Sequence, residues 1–192
     1  MKNNRFGKAG VLSKEQELLI RENLPKLVYQ IAFDIARFTG ERMGAILQLQ
    51  NSDVYDPWLQ PLTYVNFRKQ TRKQSAGKEA KTRQVPMHPK LAESLKGWRS
   101  PSEKYLFPSP RGSRPISFSS YDKAFRTALK AAGLGSEGFS THSTRRTTIT
   151  RLSRLGIGDK VVQKIIGHSD IRTTLGYIED DPAIERQAIQ NL

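Results

Sequence analysis

Between Leu27 and Phe38 the apolar residues return at helical intervals: Leu27, Val28, Ile31, Ile35 and Phe38. That spacing places them along one stripe of an α-helix, which has to be covered by other elements. Gly40 stops the helix, because a glycine can take the left-handed turn that ends one. The helical period gives way to an alternating one in a single stretch, while a loop with Pro101, Pro108, Pro110 and Pro115 and a break at Gly133, Gly135 and Gly138 separate later helices. From Asp53 to Met87 the pattern changes, and the stretches around Leu62 to Phe67 and Gln84 to Met87 read as strands. They flank Gln74 to Lys81, where Ser75 and Gly77 are turn residues. One short hairpin inside a helical chain predicts an α+β fold that is mostly α, a helical bundle with a small antiparallel sheet on one edge.

The remaining elements follow from caps and breakers. Ser13 reads as an N-cap with Gln16 completing a capping box, and Leu18, Leu19 and Ile20 give that helix its apolar side. Pro25 is placed to open the second helix. A short helix after Gly40 buries Met43, Ile46, Leu47 and Leu49. Pro89 starts a helix through Trp98, and another runs from about Ser119 to Ala132. The last third is helical: His142 to Leu155, Lys160 to Ile166 ending at Gly167, a segment from Asp170 carrying Tyr177, and a tail capped by Asp181 with Ile184, Ala188 and Ile189 as its apolar side. Residues 1–12 read as a basic flexible arm and 13–192 as one domain, in line with 192 residues at roughly 150 per domain.

Composition narrows the function. Lys plus Arg is 32 against 18 Asp plus Glu, a net charge of +14. A fold does not need that surplus; a polyanion does, most often nucleic acid. No stretch approaches the ~18 unbroken apolar residues of a membrane span. With no cysteine, disulfides and thiolate metal sites are excluded. The basic start has no apolar core of a secretory signal, so the expected compartment is the cytoplasm, with the nucleoid.

Only three histidines occur, His88, His142 and His168. On the helix after Ser140, the face bearing Ile149, Leu152 and Leu155 extends back to Arg145 or Arg146 and then His142, which predicts an inward His-x-x-Arg pair. A structural His beside an Arg–carboxylate pair explains that pattern equally well. His168 lies in a glycine-freed turn, and Tyr177 follows nine residues later. Arg42 ends Thr39-Gly40-Glu41-Arg42. The hairpin region carries Arg68, Lys69, Arg72, Lys73, Lys78, Lys81 and Arg83 against Glu79 alone. Singly, each of these has an ordinary explanation as packing, helix-end charge or solvated surface. Asp170 and Glu179 read as helix-end charges, and His88 as a strand-end residue without catalytic work.

Together they resemble the catalytic domain of the tyrosine recombinases, the phage-integrase family. The matching residues are Thr39-Gly40-Glu41-Arg42, the lysine-bearing turn Gly77-Lys78-Glu79-Ala80-Lys81-Thr82-Arg83-Gln84-Val85-Pro86, His142-Ser143-Thr144-Arg145, Ile166-Gly167-His168 and Tyr177. They stand in family order and cover the chain from about Ser13 onward. The resemblance implies a site-specific recombinase that cuts and rejoins DNA through a 3′-phosphotyrosyl link, without metal, cofactor or ATP. In that reading Tyr177 is the nucleophile. Arg42 and Arg145 clamp the phosphate, and His142 acts on the tyrosine proton or braces the phosphate. His168 donates to a phosphate oxygen, and Lys78, preferred over Lys73 and Lys81 by family spacing, protonates the leaving 5′-oxygen. Arg68, Lys69, Arg72, Lys73, Lys81, Arg83 and Arg146 become contacts to double-stranded DNA. The family's separate N-terminal core-binding domain has no counterpart before Arg42, which leaves a DNA-binding protein of weak or no catalysis as the alternative. In the family the C-terminal segment often docks on a neighbouring protomer, which predicts self-association on DNA.

Overall fold

The computed structural model describes residues 9–71, 82–168, 170–176, 186, 189 and 190. Helix α1, Lys14–Asn23, opens with a reciprocal cap: Gln16 N–H donates to Ser13 Oγ at 3.1 Å, and Ser13 N–H donates to Gln16 Oε1 at 2.9 Å. Pro25 does not open the next helix. It ends α1, because the residue before a proline is pushed out of the helical region, and Leu24 is extended at φ −69°, ψ 128°. Helix α2, Leu27–Thr39, begins two residues after Pro25 and ends at Gly40, whose φ of 62° is left-handed.

Helix α3 is a single turn, Met43–Ile46. Strands β1, Tyr64–Phe67, and β2, Arg83–Pro86, pair antiparallel with Val65 opposite Val85. Val65, Phe67 and Val85 alternate into the core, as a half-buried hairpin requires. Its tip lies outside the described residues, and so do Arg72, Lys73, Lys78 and Lys81. Helix α4, Pro89–Lys96, is capped by His88, whose Nδ1 accepts from Lys90 N–H at 3.1 Å and whose ring stacks on Phe38 at 4.2 Å. Helix α5 is Phe118–Ala131, α6 Ser143–Arg154, α7 Asp159–Ile166 and α8 Ile171–Leu175. Asp170 caps α8 by accepting from Arg172 N–H at 2.9 Å, the helix-end role its position predicts. Tyr177 and Asp181, with Pro182, Ile184 and Ala188, lie outside the described residues, whereas Ile189 is described and exposed.

Helix α2 is the spine. It packs against α4 and α6, while α1 packs against α5. Ile31, Phe33 and Ile35 are fully buried with Tyr121, Phe125, Leu91 and Leu95. Each such side chain contributes about 1.5–3 kcal/mol by leaving water. A second, smaller cluster of Ile149, Val162 and Ile166 joins α6 to α7. No helix among the described residues is long and apolar enough to cross a membrane.

The first turns of α6 are enclosed almost all round: Ser143, Thr144, Arg145, Arg146, Thr147, Ile149 and Thr150 are all buried. The predicted single inward stripe therefore needs correction at both ends. Leu155 is 74% exposed, and His142 is exposed because it is the N-cap residue, outside the helix proper. On one flank α6 is held by residues 9–12, which the sequence places in the arm. Leu12 N–H donates to Thr147 Oγ1 at 2.8 Å, and Arg151 reaches both Leu12 O and Glu17.

Candidate active site

Two chain turns meet at Arg145. Its helix places the guanidinium, 2% exposed, between the turn after α2 and the end of α7. Arg145 Nη1 donates to Gly40 O at 2.7 Å and Nη2 to Ile166 O at 3.3 Å. Gly40 suits this place twice over. Its left-handed backbone turns the carbonyl out of α2, and a Cβ there would lie 2.6 Å from Ile166 Cδ1.

The next residue supplies the counterion. Glu41 is 2% exposed, and its carboxylate lies 3.6 Å from Arg145 Nη1 and 3.1 Å from Arg83 Nη2. Glu41 Oε1 also accepts from Arg42 N–H at 2.7 Å, and Glu41 N–H donates to Thr39 Oγ1. One carboxylate thus sits among three arginines contributed by the α2–α3 turn, β2 and α6. An uncompensated buried guanidinium is costly, and Glu41 is what makes two of them tolerable side by side.

Arg83, expected at the DNA surface, is an interior residue. It is 7% exposed, lies over the Phe67 ring, pairs with Glu41 and donates from Nη1 to Ile165 O. Arg146, also expected to touch DNA, is 6% exposed, and its Nη1 donates to Ala9 O at 2.7 Å. Charge in the sequence does not distinguish a solvated cation from one paired by the fold. Arg68 is part-buried, 3.2 Å from Asp53 and donating to Gln48 O, while Lys69 is exposed.

His168 completes the cluster. Gly167, at φ 70°, ends α7 and turns the chain so that His168 is buried at the same end. Its backbone is gripped by Gln163 through both N–H and C=O, and its Nδ1 is 2.9 Å from Thr174 Oγ1. Burial, and then the positive charges of Arg145, Arg42 and Arg83, push its pKa down to about 3. The imidazole is therefore neutral at physiological pH. Arg42, half-buried, and Arg145 are brought to this one place with His168. His142 stands exposed at the head of α6, and Lys78 and Tyr177 lie outside the described residues.

The arrangement is a cation-rich cluster with a neutral hydrogen-bonding imidazole, suited to an anion with several oxygens. Among the described residues no group of three or more His, Asp or Glu is placed to hold a metal ion. The model of the phage integrase family matches residues 11–183.

The chain belongs to the phage integrase family. This phage-integrase chain is 27% identical over 173 residues to a tyrosine recombinase of Pseudothermotoga lettingae, covering 88% of this chain and 55% of that one. It is 28% identical over 178 residues to the tyrosine recombinase XerC of Pseudomonas fluorescens, covering 87% and 51%. It spans about a third to just over half the length of the curated relatives it matches. Among solved structures it superposes on the XerA recombinase with a TM-score of 0.73 at 25% identity, over 97% of this chain and 66% of that one. The fold is also that of a lambda integrase dimer bound to a core site, with a TM-score of 0.68 at 23% identity over 91% of this chain and 49% of that one.

In the sequence Thr39 and Glu41 appear only as members of the motif around Gly40, with no role of their own, and Thr174 is unmarked. The signal for Glu41 was present: a lone carboxylate between Gly40 and Arg42, in a chain rich in unpaired-looking arginines. Thr174 carries no such signal in sequence, because its partner is defined by the turn that separates α7 from α8.

Proposed function

We propose that the chain is the catalytic part of a site-specific DNA recombinase acting on double-stranded DNA through Tyr177. The reading rests on one observation above the others: the Arg145 guanidinium bridges Gly40 O and Ile166 O, two residues before Arg42 and two before His168. In the reaction the Tyr177 oxygen bonds to a backbone phosphorus, the bond from phosphorus to the 5′-oxygen breaks, the phenolic proton leaves and a proton is delivered to the 5′-oxygen. The diester is exchanged for a phosphotyrosyl ester, so the step reverses to rejoin strands and needs no ATP.

Arg145 is held in orientation before substrate arrives, because its two Nη atoms are fixed on carbonyls of separate elements. With Arg42 it would stabilise the charge developing on the non-bridging oxygens, worth far more in a water-poor site than in solution. Neutral His168 would donate to one of those oxygens. His142 would act on the tyrosine proton or brace the phosphate, and Lys78 would supply the proton to the 5′-oxygen. Lys69 and Arg68, with Arg72, Lys73 and Lys81, would follow the phosphate backbone, which fixes position but not sequence. The relatives include recombinases solved on DNA, among them a dimer, and this supports self-association on DNA. Such a protein works in the cytoplasm, at the nucleoid.

A nicked suicide substrate with native flanking DNA tests this. The protein should leave a denaturation-resistant protein–DNA adduct that Tyr177→Phe abolishes. Specific DNA binding without any adduct would instead establish a binding protein that keeps the fold.

A further inference from the structure

Thr174 is fully buried on α8, and its hydroxyl lies 2.9 Å from Nδ1 of His168. Among the described residues this ring nitrogen is the only hydrogen-bond partner of that hydroxyl. A hydroxyl has one hydrogen to place, and a ring nitrogen of a neutral imidazole either carries a hydrogen or accepts one. Were Nδ1 to carry the hydrogen and donate to Oγ1, the threonine's own hydrogen would be buried without an acceptor, which costs more than the bond is worth. The opposite arrangement satisfies both groups: the hydroxyl donates to Nδ1, and the ring's hydrogen sits on Nε2.

We propose that Thr174 is a positioning residue that fixes His168 as the neutral tautomer carrying its hydrogen on Nε2, a form ready to donate to an anion's oxygen. Three features of the fold hold the pair in place. Gly167 turns the chain into His168, Gln163 clamps the His168 backbone from both sides, and the Asp170 cap starts α8 so that Thr174 stands one turn in. Among the described residues the charged groups acting on the ring, Arg145, Arg42 and Arg83, are cationic and oppose a second ring proton. The ring is thereby kept a donor at one nitrogen and an acceptor at the other, with the acceptor occupied by Thr174. The catalytic consequence rests on the function proposed above; the tautomer does not.

Long-range proton–nitrogen NMR correlations of the DNA-free protein read the tautomer directly, with His168→Gln supplying the assignment. The protonated nitrogen of His168 should be Nε2. Thr174→Val, which keeps the shape but loses the hydroxyl, should give nitrogen shifts averaged between the two tautomers and cut adduct formation on the suicide substrate roughly tenfold or more. Thr174→Ser should restore both. A hydrogen on Nδ1 in the unaltered protein overturns the proposal without recourse to any variant. So does a Thr174→Val protein with unchanged nitrogen shifts, or with shifted tautomers and undiminished cleavage. If the tautomer behaves as stated while no DNA yields an adduct, the assigned reaction fails and the tautomer assignment stands.

Discussion

Replacing Glu41 by glutamine should unfold the protein more readily than any surface change, and the reason can be read from the cluster it anchors. Its carboxylate lies 3.1 Å from Arg83 Nη2 and 3.6 Å from Arg145 Nη1, and all three side chains are almost wholly buried. At an effective dielectric of about 20, a charge pair at ~4 Å attracts by about 4 kcal/mol, and most of this offsets the desolvation of the ions. Glu41→Gln keeps the shape and the acceptor for Arg42 N–H but removes the negative charge. Two buried guanidiniums then lose the carboxylate they share. Breaking a buried pair in this way costs about 3–5 kcal/mol. For a chain of this size, each kcal/mol lowers the melting temperature by about 2–4 °C, so a drop of roughly 10 °C is expected. Urea titration and thermal circular dichroism measure both quantities. A loss below about 1 kcal/mol would refute the reasoning, because it would mean that Arg83 and Arg145 are solvated and need no counterion.

Three further outcomes follow from the same geometry. Gly40→Ala combines a left-handed backbone with a Cβ placed 2.6 Å from Ile166 Cδ1, and should cost about 2–4 kcal/mol, whereas Gly156→Ala, also left-handed but with nothing within 4 Å, should cost about 1 kcal/mol; equal losses in urea titration would remove the close packing at Gly40 from the account. The His168 pKa is depressed in the folded state, so the unfolded chain binds the extra proton and stability falls as pH drops below the ordinary histidine value, by up to about 1.4 kcal/mol per pH unit on the way to its folded pKa of about 3; His168→Gln should flatten that slope in pH-dependent unfolding. On non-specific DNA, log affinity should fall linearly with log salt, and Lys69→Ala should reduce the slope by about 1 while Arg146→Ala, buried against Ala9 O, leaves it unchanged.

The stop at Gly40, the cap at Ser13 and the turn at Gly167 were legible because each is a local requirement: a left-handed backbone or an orphaned amide is met within a few residues. Pro25 was misplaced by two residues because a proline that ends one helix and a proline that begins the next look alike until the intervening turn is seen. The inward assignment of His142 failed for a related reason. Helical periodicity was extended one residue past the true start of α6, onto an exposed cap. Arg83 and Arg146 were expected on DNA because sequence displays charge and hides its partners. The counterion Glu41 and the carbonyl of Ala9 are supplied from other elements, and Gly40 O lies 105 residues from the arginine it holds. The functional assembly was legible as a set of residue types in order. Its internal wiring, from Thr39 to Glu41 and from His168 to Thr174, required the tertiary structure.

The most direct measurement is to digest the covalent protein–DNA adduct with trypsin and locate the attached nucleotide by mass spectrometry. Cleavage after Arg172 and Arg186 isolates residues 173–186, in which Tyr177 is the only tyrosine. The nucleotide mass is expected on that peptide, at Tyr177. Attachment at any other side chain would contradict the account.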